Sequence, residues 1–347
     1  MTKRFNRGGP PGETQTALAI LATVIGAGFA SGREVMVFFT RFGAWSWLGV
    51  AAAAAAFGLL TFGVMRLGGA LGAGSFAELC SRALGDSAGR VCSALYAVMM
   101  LVTAGAMASG VGEIAALSMT VPRAYELGLA AAVIMGTVWA RRGVGALAAG
   151  GGFLLPICGL LYIALAWRGR SLSGLIPSEP AASGLAAIPL AVGYACLNVT
   201  LGCGVLCEAA RGSSAGYQGR VALWFTPMIG GLLAAANGAL LPHAARVGHA
   251  ALPMLALARG STAAALLASA SMLMAMMTTL IAMLRSMAGM IKAPEWVGYP
   301  AAAILTAACG LIGFNRIIGA AYPMMGWASA IALLVILASG KRRATRQ

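Results

Sequence analysis

The chain has 347 residues, of which 60% are hydrophobic and only 10% are charged, and its mean hydropathy is +0.86. This composition excludes a soluble globular protein and indicates a polytopic membrane protein. The net charge of +15 does not indicate a nucleic-acid-binding protein, because the basic residues stand singly or in small groups between apolar runs.

Ten apolar segments are long enough to be transmembrane helices, and we number them as spans one to ten. Their approximate bounds are 14–40, 45–67, 88–119, 123–140, 144–167, 186–210, 219–241, 261–290, 297–313 and 316–339. The first span is long enough to consist of two half-helices. The sequence therefore predicts an all-α membrane protein with about ten transmembrane helices.

The distribution of lysine and arginine predicts the orientation of these spans. With the N-terminus inside, the cytoplasmic side holds 16 of the 24 basic residues and the outside holds 8. Cytoplasmic loops carry the excess of positive charge in membrane proteins. We therefore expect a multi-pass protein of the cell inner (plasma) membrane with both termini in the cytoplasm.

The longest polar connection divides the ten spans into two sets of five. This division predicts two structural repeats, a common plan among transporters. The expected layout is a cytoplasmic tail at 1–13, a first five-helix repeat at 14–168, an external connection at 169–185, a second five-helix repeat at 186–339 and a basic cytoplasmic tail at 340–347.

Span one contains three glycines within seven residues, at Gly26, Gly28 and Gly32. Each glycine in a helix interior costs about 1 kcal/mol relative to alanine. Backbone groups freed at bilayer depth are tolerated only where they face protein or a water-filled cavity. The pattern predicts a broken helix beside a solute site, and the alternative is close packing of continuous helices.

Span six has a similar cluster of glycine and polar residues at its centre, and we expect a second break there, near Asn198. Two interrupted helices at corresponding places in two halves indicate a transport site. The exposed amides of a broken helix can bind an anionic group such as a substrate carboxylate. The predicted substrate-binding residues are Gly26, Ala27, Gly28, Phe29, Tyr194, Asn198 and Thr200. An interhelical hydrogen bond is the alternative role for Asn198.

Two further features are candidates for ion coupling. Thr278 and Thr279 are adjacent in span eight and offer two oxygens to a small cation, unless each hydroxyl bonds back to its own helix. Glu34 lies within span one, where an acidic side chain is a functional candidate by default and could carry a coupling proton.

The sequence lacks a His-Glu-x-x-His motif, a phosphate-binding loop and a clustered carboxylate pair. The seven cysteines lie mostly in apolar segments, and no set of cysteine and histidine completes a metal site. We therefore expect that the protein is not an enzyme and has no cofactor, apart from Na⁺ as a candidate coupling ion.

The stretch from Thr23 to Glu34, which reads Thr-Val-Ile-Gly-Ala-Gly-Phe-Ala-Ser-Gly-Arg-Glu, resembles the YkvI-type membrane proteins of the amino acid–polyamine–organocation superfamily. Two positions depart from the family's pattern, with Ala22 in place of glycine and Arg33 in place of glutamine. Further similarity lies at Gly193-Tyr194 to Asn198, at 313–315 and at 322–326.

The resemblance implies the LeuT-type fold, with two inverted five-helix repeats and helices one and six broken. It also implies a substrate site between these two helices, closed by helices three and eight. In sodium-coupled members a cation lies between helices one and eight. Its ligands here would be the carbonyls of Ala22 and Ile25 and the hydroxyls of Thr278 and Thr279. Proton-coupled members lack this cation, so Na⁺ and H⁺ both remain open.

We therefore expect a secondary active transporter of a small organic solute, an amino acid or a related amine, that works by alternating access. The alternative is a non-transporting membrane sensor that keeps the fold, although the basic tail is too short to be a signalling domain. The expected partners are a small-molecule substrate and the lipid bilayer, with no nucleic acid. The sequence does not predict the oligomeric state.

Overall fold

The computed structural model describes residues 12–24, 27–142, 164, 184–291 and 293–344. All regular secondary structure in these ranges is helical, which confirms the all-α prediction. Six stretches are long and apolar enough to cross a membrane. They are Thr40–Leu71, Asp86–Ser118, Gly184–Leu201, Ala215–Val247, Thr262–Met290 and Phe314–Gly340.

We number the helices in chain order. The first half of the chain contains α1 Glu13–Val24, α2 Ala27–Ala30, α3 Arg33–Phe38, α4 Ser46–Leu71, α5 Phe76–Leu84, α6 Asp86–Ser118 and α7 Ala124–Arg142. The second half contains α8 Ala187–Leu201, α9 Cys203–Ala210, α10 Ala215–Leu240, α11 Ala244–Val247, α12 Pro253–Ala258, α13 Thr262–Met290, α14 Glu295–Gly310, α15 Phe314–Arg316 and α16 Tyr322–Ala344.

Helices occupy nine of the ten predicted spans, and the remaining one, at 144–167, lies outside the described residues apart from residue 164. Most of the external connection at 169–185 lies outside them as well. The proposed division into two five-helix repeats at 14–168 and 186–339 therefore stays a prediction.

Span one is interrupted, as predicted, and consists of α1, α2 and α3 in the described residues. Ile25 and Gly26 lie outside these residues, and Gly28 lies within the short helix α2. The interruption that can be described follows at Gly32, whose φ of 78° is in the left-handed region. Glycine adopts this conformation without the steric penalty that a side chain would bring.

Span six is interrupted at Gly202, which separates α8 from α9. The sequence analysis placed this break near Asn198, four residues too early. Asn198 lies in a continuous part of α8, where its carbonyl accepts a hydrogen bond from the Gly202 amide at 2.9 Å. The polar side chains of span six therefore did not mark its break, whereas the glycine did.

The interrupted helices lie at the centre of the helix bundle. Helix α2 packs against α6 and α13, and α3 packs against α8. Span one therefore contacts spans three, six and eight, which is the neighbourhood expected for a central site.

Candidate functional site

A carboxyl group lies at the centre of this neighbourhood. Glu34 stands in the first turn of α3, and only 4% of it is exposed. Its Oε2 accepts a hydrogen bond from the hydroxyl of Tyr194 at 2.9 Å. Because Tyr194 belongs to α8, this contact joins the two interrupted spans directly.

The left-handed turn at Gly32 precedes α3, and the Glu34 side chain extends back to α2. A Cβ atom placed on Gly28 would overlap the Glu34 carboxyl group. Glycine at position 28 therefore makes room for the carboxyl group. The left-handed turn at Gly32 and the lack of a side chain at Gly28 together allow the Glu34 carboxyl group to lie against α2.

An aromatic cluster surrounds the tyrosine ring. The ring centroid of Tyr194 lies 5.0 Å from that of Phe38, 5.4 Å from that of Phe39 and 5.9 Å from that of Phe57. All four residues are completely buried. Edge-to-face and tilted pairs at these distances are favourable contacts between aromatic rings. The cluster therefore holds the tyrosine in place with its hydroxyl group directed at Glu34.

A tyrosine that the sequence analysis did not select lies near the site. Tyr322 is the first residue of α16 and is buried, and the turn that precedes it, Ile317–Ala321, packs against α3 and α6. Span ten therefore begins beside the helix that carries Glu34. The sequence signal for Tyr322 was its position in the stretch 322–326, which resembles the YkvI-type proteins.

Among the described residues, no basic side chain forms an ion pair with Glu34. The described part of the chain has three ion pairs within 4.0 Å, between Glu78 and two arginines and between Glu13 and Arg220. None of them includes Glu34. A buried carboxylate without a cationic partner is costly, so such a group carries a proton or meets a cation from elsewhere. The site can therefore hold a proton or pair with a cationic solute.

The structure places the predicted substrate-binding residues in different environments. Gly28, Phe29 and Tyr194 lie in the buried centre around Glu34. Asn198 donates a hydrogen bond from Nδ2 to the carbonyl of Tyr194 at 2.9 Å, within its own helix. This bond differs from both the solute contact and the interhelical contact that the sequence suggested.

Thr200 is buried, and its hydroxyl has no hydrogen-bond partner among the described residues. Helical geometry places it on the same face of α8 as Gly193, seven residues earlier. Gly193 is in close contact with Gly326 of α16. Thr200 therefore lies on the side of span ten, on a different face of the helix from Tyr194.

The predicted sodium ligands are only partly described. Ala22 lies in α1, and Ile25 lies outside the described residues. The hydroxyl of Thr278 donates to the carbonyls of Met274 at 2.9 Å and Ala275 at 3.1 Å, which is the alternative that the sequence analysis named. Thr279 is half-buried in the same turn.

One short stretch has the Gly-x-Ser-x-Gly spacing of a hydrolase nucleophile, at 212–216. Ser214 accepts a hydrogen bond from the amide of Tyr217 at 3.2 Å and is the N-cap of α10. A nucleophile elbow joins a strand to a helix, and here the preceding element is helix α9. The serine therefore has the role of a helix cap.

Solved structures resemble this chain over nearly its whole length. An inward-facing structure of Mhp1 matches with a TM-score of 0.70 and 17% identity, and the match covers 94% of this chain and 76% of that one. A manganese transporter of Eremococcus coleocola matches with a TM-score of 0.61 and 13% identity over 93% of this chain and 85% of that one. At these identities the matches show the fold alone.

The chain is therefore a polytopic membrane protein with the LeuT-type fold. Among curated proteins, it is similar to the uncharacterized membrane protein YkvI of Bacillus subtilis (strain 168), with 33% identity over 101 residues. This match covers 29% of the chain and 29% of the length of that protein. It confirms the resemblance to YkvI-type proteins that the glycine-rich stretch indicated. No family model matches the chain.

Proposed function

We propose that the protein is a secondary active transporter of a small organic solute, an amino acid or related amine, that works by alternating access. We place it in the plasma membrane with both termini in the cytoplasm, and we infer no enzymatic activity. The observation that carries the proposal is the hydrogen bond between Glu34 and Tyr194, which joins two interrupted helices at the centre of a LeuT-type fold.

The chemistry of the site favours a solute with an amino group. Glu34 offers a buried carboxyl group without a basic partner in the described residues, and an ammonium group would supply the missing charge. The buried rings around Tyr194 make the surroundings of the carboxyl group apolar, and the attraction between a carboxylate and an ammonium group is stronger in such surroundings than in water.

The sequence analysis expected the backbone near Gly28 to receive the carboxylate of a substrate. The Glu34 carboxyl group already lies against Gly28. A solute carboxylate placed there would meet a group of the same charge. This contact favours amines over zwitterionic amino acids within the proposed substrate class.

The coupling ion is proposed to be Na⁺ or H⁺, and different residues support each choice. Proton coupling would use Glu34, because a buried carboxyl group can bind a proton and release it as its surroundings change. Sodium coupling would use Thr278 and Thr279 with the carbonyls of span one. The hydroxyl of Thr278 is already bonded to its own helix, and this favours proton coupling over sodium coupling.

The proposal is tested first by binding and then by flux. Thermal unfolding of the purified protein is measured with a panel of amino acids, monoamines and diamines, with and without Na⁺. A ligand found in this way is then offered to proteoliposomes with an imposed Na⁺ or pH gradient. We expect accumulation that collapses when the gradient is removed. Binding without flux in either gradient would instead identify the protein as a sensor.

A further inference from the structure

A groove of about 660 Å³ lies between α7 and α14, on a different part of the molecule from the Glu34 site. Its walls are largely apolar and come from both helices. They include Val133, Ile134 and Val138 of α7 and Pro300 and Ala303 of α14. Both Ile134 and Val138 are exposed, so an apolar molecule in the membrane can reach these walls.

Two arginines lie at one end of the groove. Arg141 and Arg142 form the last turn of α7 and are both exposed. Neither takes part in an ion pair within the described parts of the chain. Glu295 also lines this end, and it too forms no ion pair there. The end of the groove therefore carries two arginines against one glutamate, and its net charge is positive.

The arginines are not engaged in capping the carbonyl of Ala140 near the end of α7. This carbonyl accepts a hydrogen bond from the hydroxyl of Tyr299 at 3.2 Å and another from Nη1 of Arg285 at 3.3 Å. These contacts bring a third guanidinium group to the same end. Among the described residues, no hydrogen bond or ion pair occupies the side chains of Arg141 and Arg142, so both can bind an external group.

The surroundings place this end of the groove at the level of lipid headgroups. Trp139 lies two residues before Arg141 in the sequence, and Trp296 directly follows Glu295. Both tryptophans are exposed. Tryptophans concentrate at the boundary between the hydrocarbon and the headgroups of a membrane. From Val133 to Arg141 the helix rises by about 12 Å, which matches the upper part of an acyl chain in length.

We propose that this groove binds an anionic phospholipid, with its phosphate on Arg141 and Arg142 and an acyl chain along the apolar walls. Guanidinium groups bind phosphate oxygens with two parallel hydrogen bonds. Basic pockets between transmembrane helices are known places for anionic headgroups. A soluble phosphate would use the arginines alone, whereas a lipid uses both ends of the groove. The proposal is independent of the transport function.

Native mass spectrometry can test the site on the full chain purified with an equal mixture of phosphatidylglycerol and phosphatidylcholine. The charge variant carries Arg141→Gln and Arg142→Gln. The steric variant, Ala303→Phe, fills the groove and leaves the charge unchanged. The matched control carries Arg246→Gln and Arg259→Gln, which remove two exposed arginines elsewhere.

We expect the wild-type protein and the control to retain phosphatidylglycerol in preference to phosphatidylcholine. Both groove variants should lose this preference by about tenfold. The charge variant loses it because each arginine near the membrane surface contributes to lipid attraction, and Ala303→Phe loses it because the acyl chain that holds the headgroup beside the arginines no longer fits. Wild-type retention in the charge variant would overturn the proposal. Loss in the charge variant with full retention in Ala303→Phe would also overturn it, because the arginines would then attract headgroups without the groove.

Discussion

The hydroxyl of Tyr194 donates a hydrogen bond of 2.9 Å to the carboxyl group of Glu34, although 160 residues separate them in the sequence. Both side chains are buried, and each lies in one of the two interrupted spans. A movement of span one relative to span six breaks this hydrogen bond unless the two side chains move together. The contact therefore connects the substrate site that we propose with the movement that transport requires.

Replacing Tyr194 by phenylalanine removes this hydrogen bond and keeps the ring in its aromatic cluster. A hydrogen bond to a charged group contributes about 1.5–3 kcal/mol. We therefore expect solute affinity to fall by roughly tenfold or more, with a smaller loss of thermal stability. Isothermal titration with the amine identified in the thermal screen measures the change. Unchanged affinity in Tyr194→Phe would remove the tyrosine from the solute site.

Gly28 makes room for the carboxyl group of Glu34, so a side chain at this position should displace that group. We expect Gly28→Leu to abolish transport while folded protein remains in the membrane, and Gly28→Ala to impair transport strongly. Uptake per folded protein, counted by size-exclusion chromatography, measures the effect.

The matched control for this experiment is Gly204→Ala in α9. A Cβ atom on Gly204 has no neighbour within 4 Å among the described residues, so uptake should remain near the wild-type level. Normal uptake kinetics in Gly28→Leu would show that Gly28 serves only for helix packing.

Arg33 attaches the connection between α10 and α13 to span one. Its Nη1 donates to the carbonyl of Gly248 at 2.6 Å and to that of Ala250 at 3.4 Å. The amide of Met254 adds a hydrogen bond of 2.9 Å to the carbonyl of Ser31. We predict that Arg33→Gln loosens this loop, because the shorter neutral side chain loses charged hydrogen bonds worth about 1.5–3 kcal/mol.

Hydrogen exchange followed by mass spectrometry over residues 244–258 tests the attachment. Amide exchange there should become faster in Arg33→Gln, while Arg246→Gln in the same loop should leave it unchanged. Equal protection in wild type and Arg33→Gln would mean that the two carbonyl contacts do not hold the loop.

The sodium alternative makes a prediction about span eight. If Thr278 and Thr279 bind Na⁺, alanine at either position should weaken the Na⁺ dependence of uptake by about 1–2 kcal/mol, with little change in substrate selectivity. Serine keeps the hydroxyl group, so Thr278→Ser is the matched control. Uptake is measured against Na⁺ concentration at fixed pH. Uptake by the wild-type protein that ignores Na⁺ and follows a pH gradient would rule out this site.

The sequence predicted the helices and the two interrupted spans because apolar length and glycine clusters are local signals. Both described breaks occur at glycines, Gly32 and Gly202, and a glycine can be read directly from the sequence. Asn198 and Thr200 were misleading guides to the break in span six. A polar side chain in an apolar helix can bond to its own backbone, as Asn198 does, without ending the helix.

The site itself depends on contacts between distant parts of the chain. The sequence could select Glu34 and Tyr194 separately, the first as an acidic residue in a span and the second as a polar residue near a break. It could not pair them, because the pairing depends on how α3 and α8 pack together. Tyr322 escaped selection for the same reason, since it is an ordinary residue within its own helix.

The most direct test of the central claim is gradient-driven uptake of the identified amine into proteoliposomes that contain wild type, Glu34→Gln or Glu126→Gln. Glutamine keeps the shape of Glu34 but cannot pair with an ammonium group or exchange a coupling proton, whereas Glu126 is exposed at the start of α7. We predict accumulation by the wild type and Glu126→Gln and at most a few per cent of that rate in Glu34→Gln. Accumulation by Glu34→Gln at the wild-type rate would contradict the account.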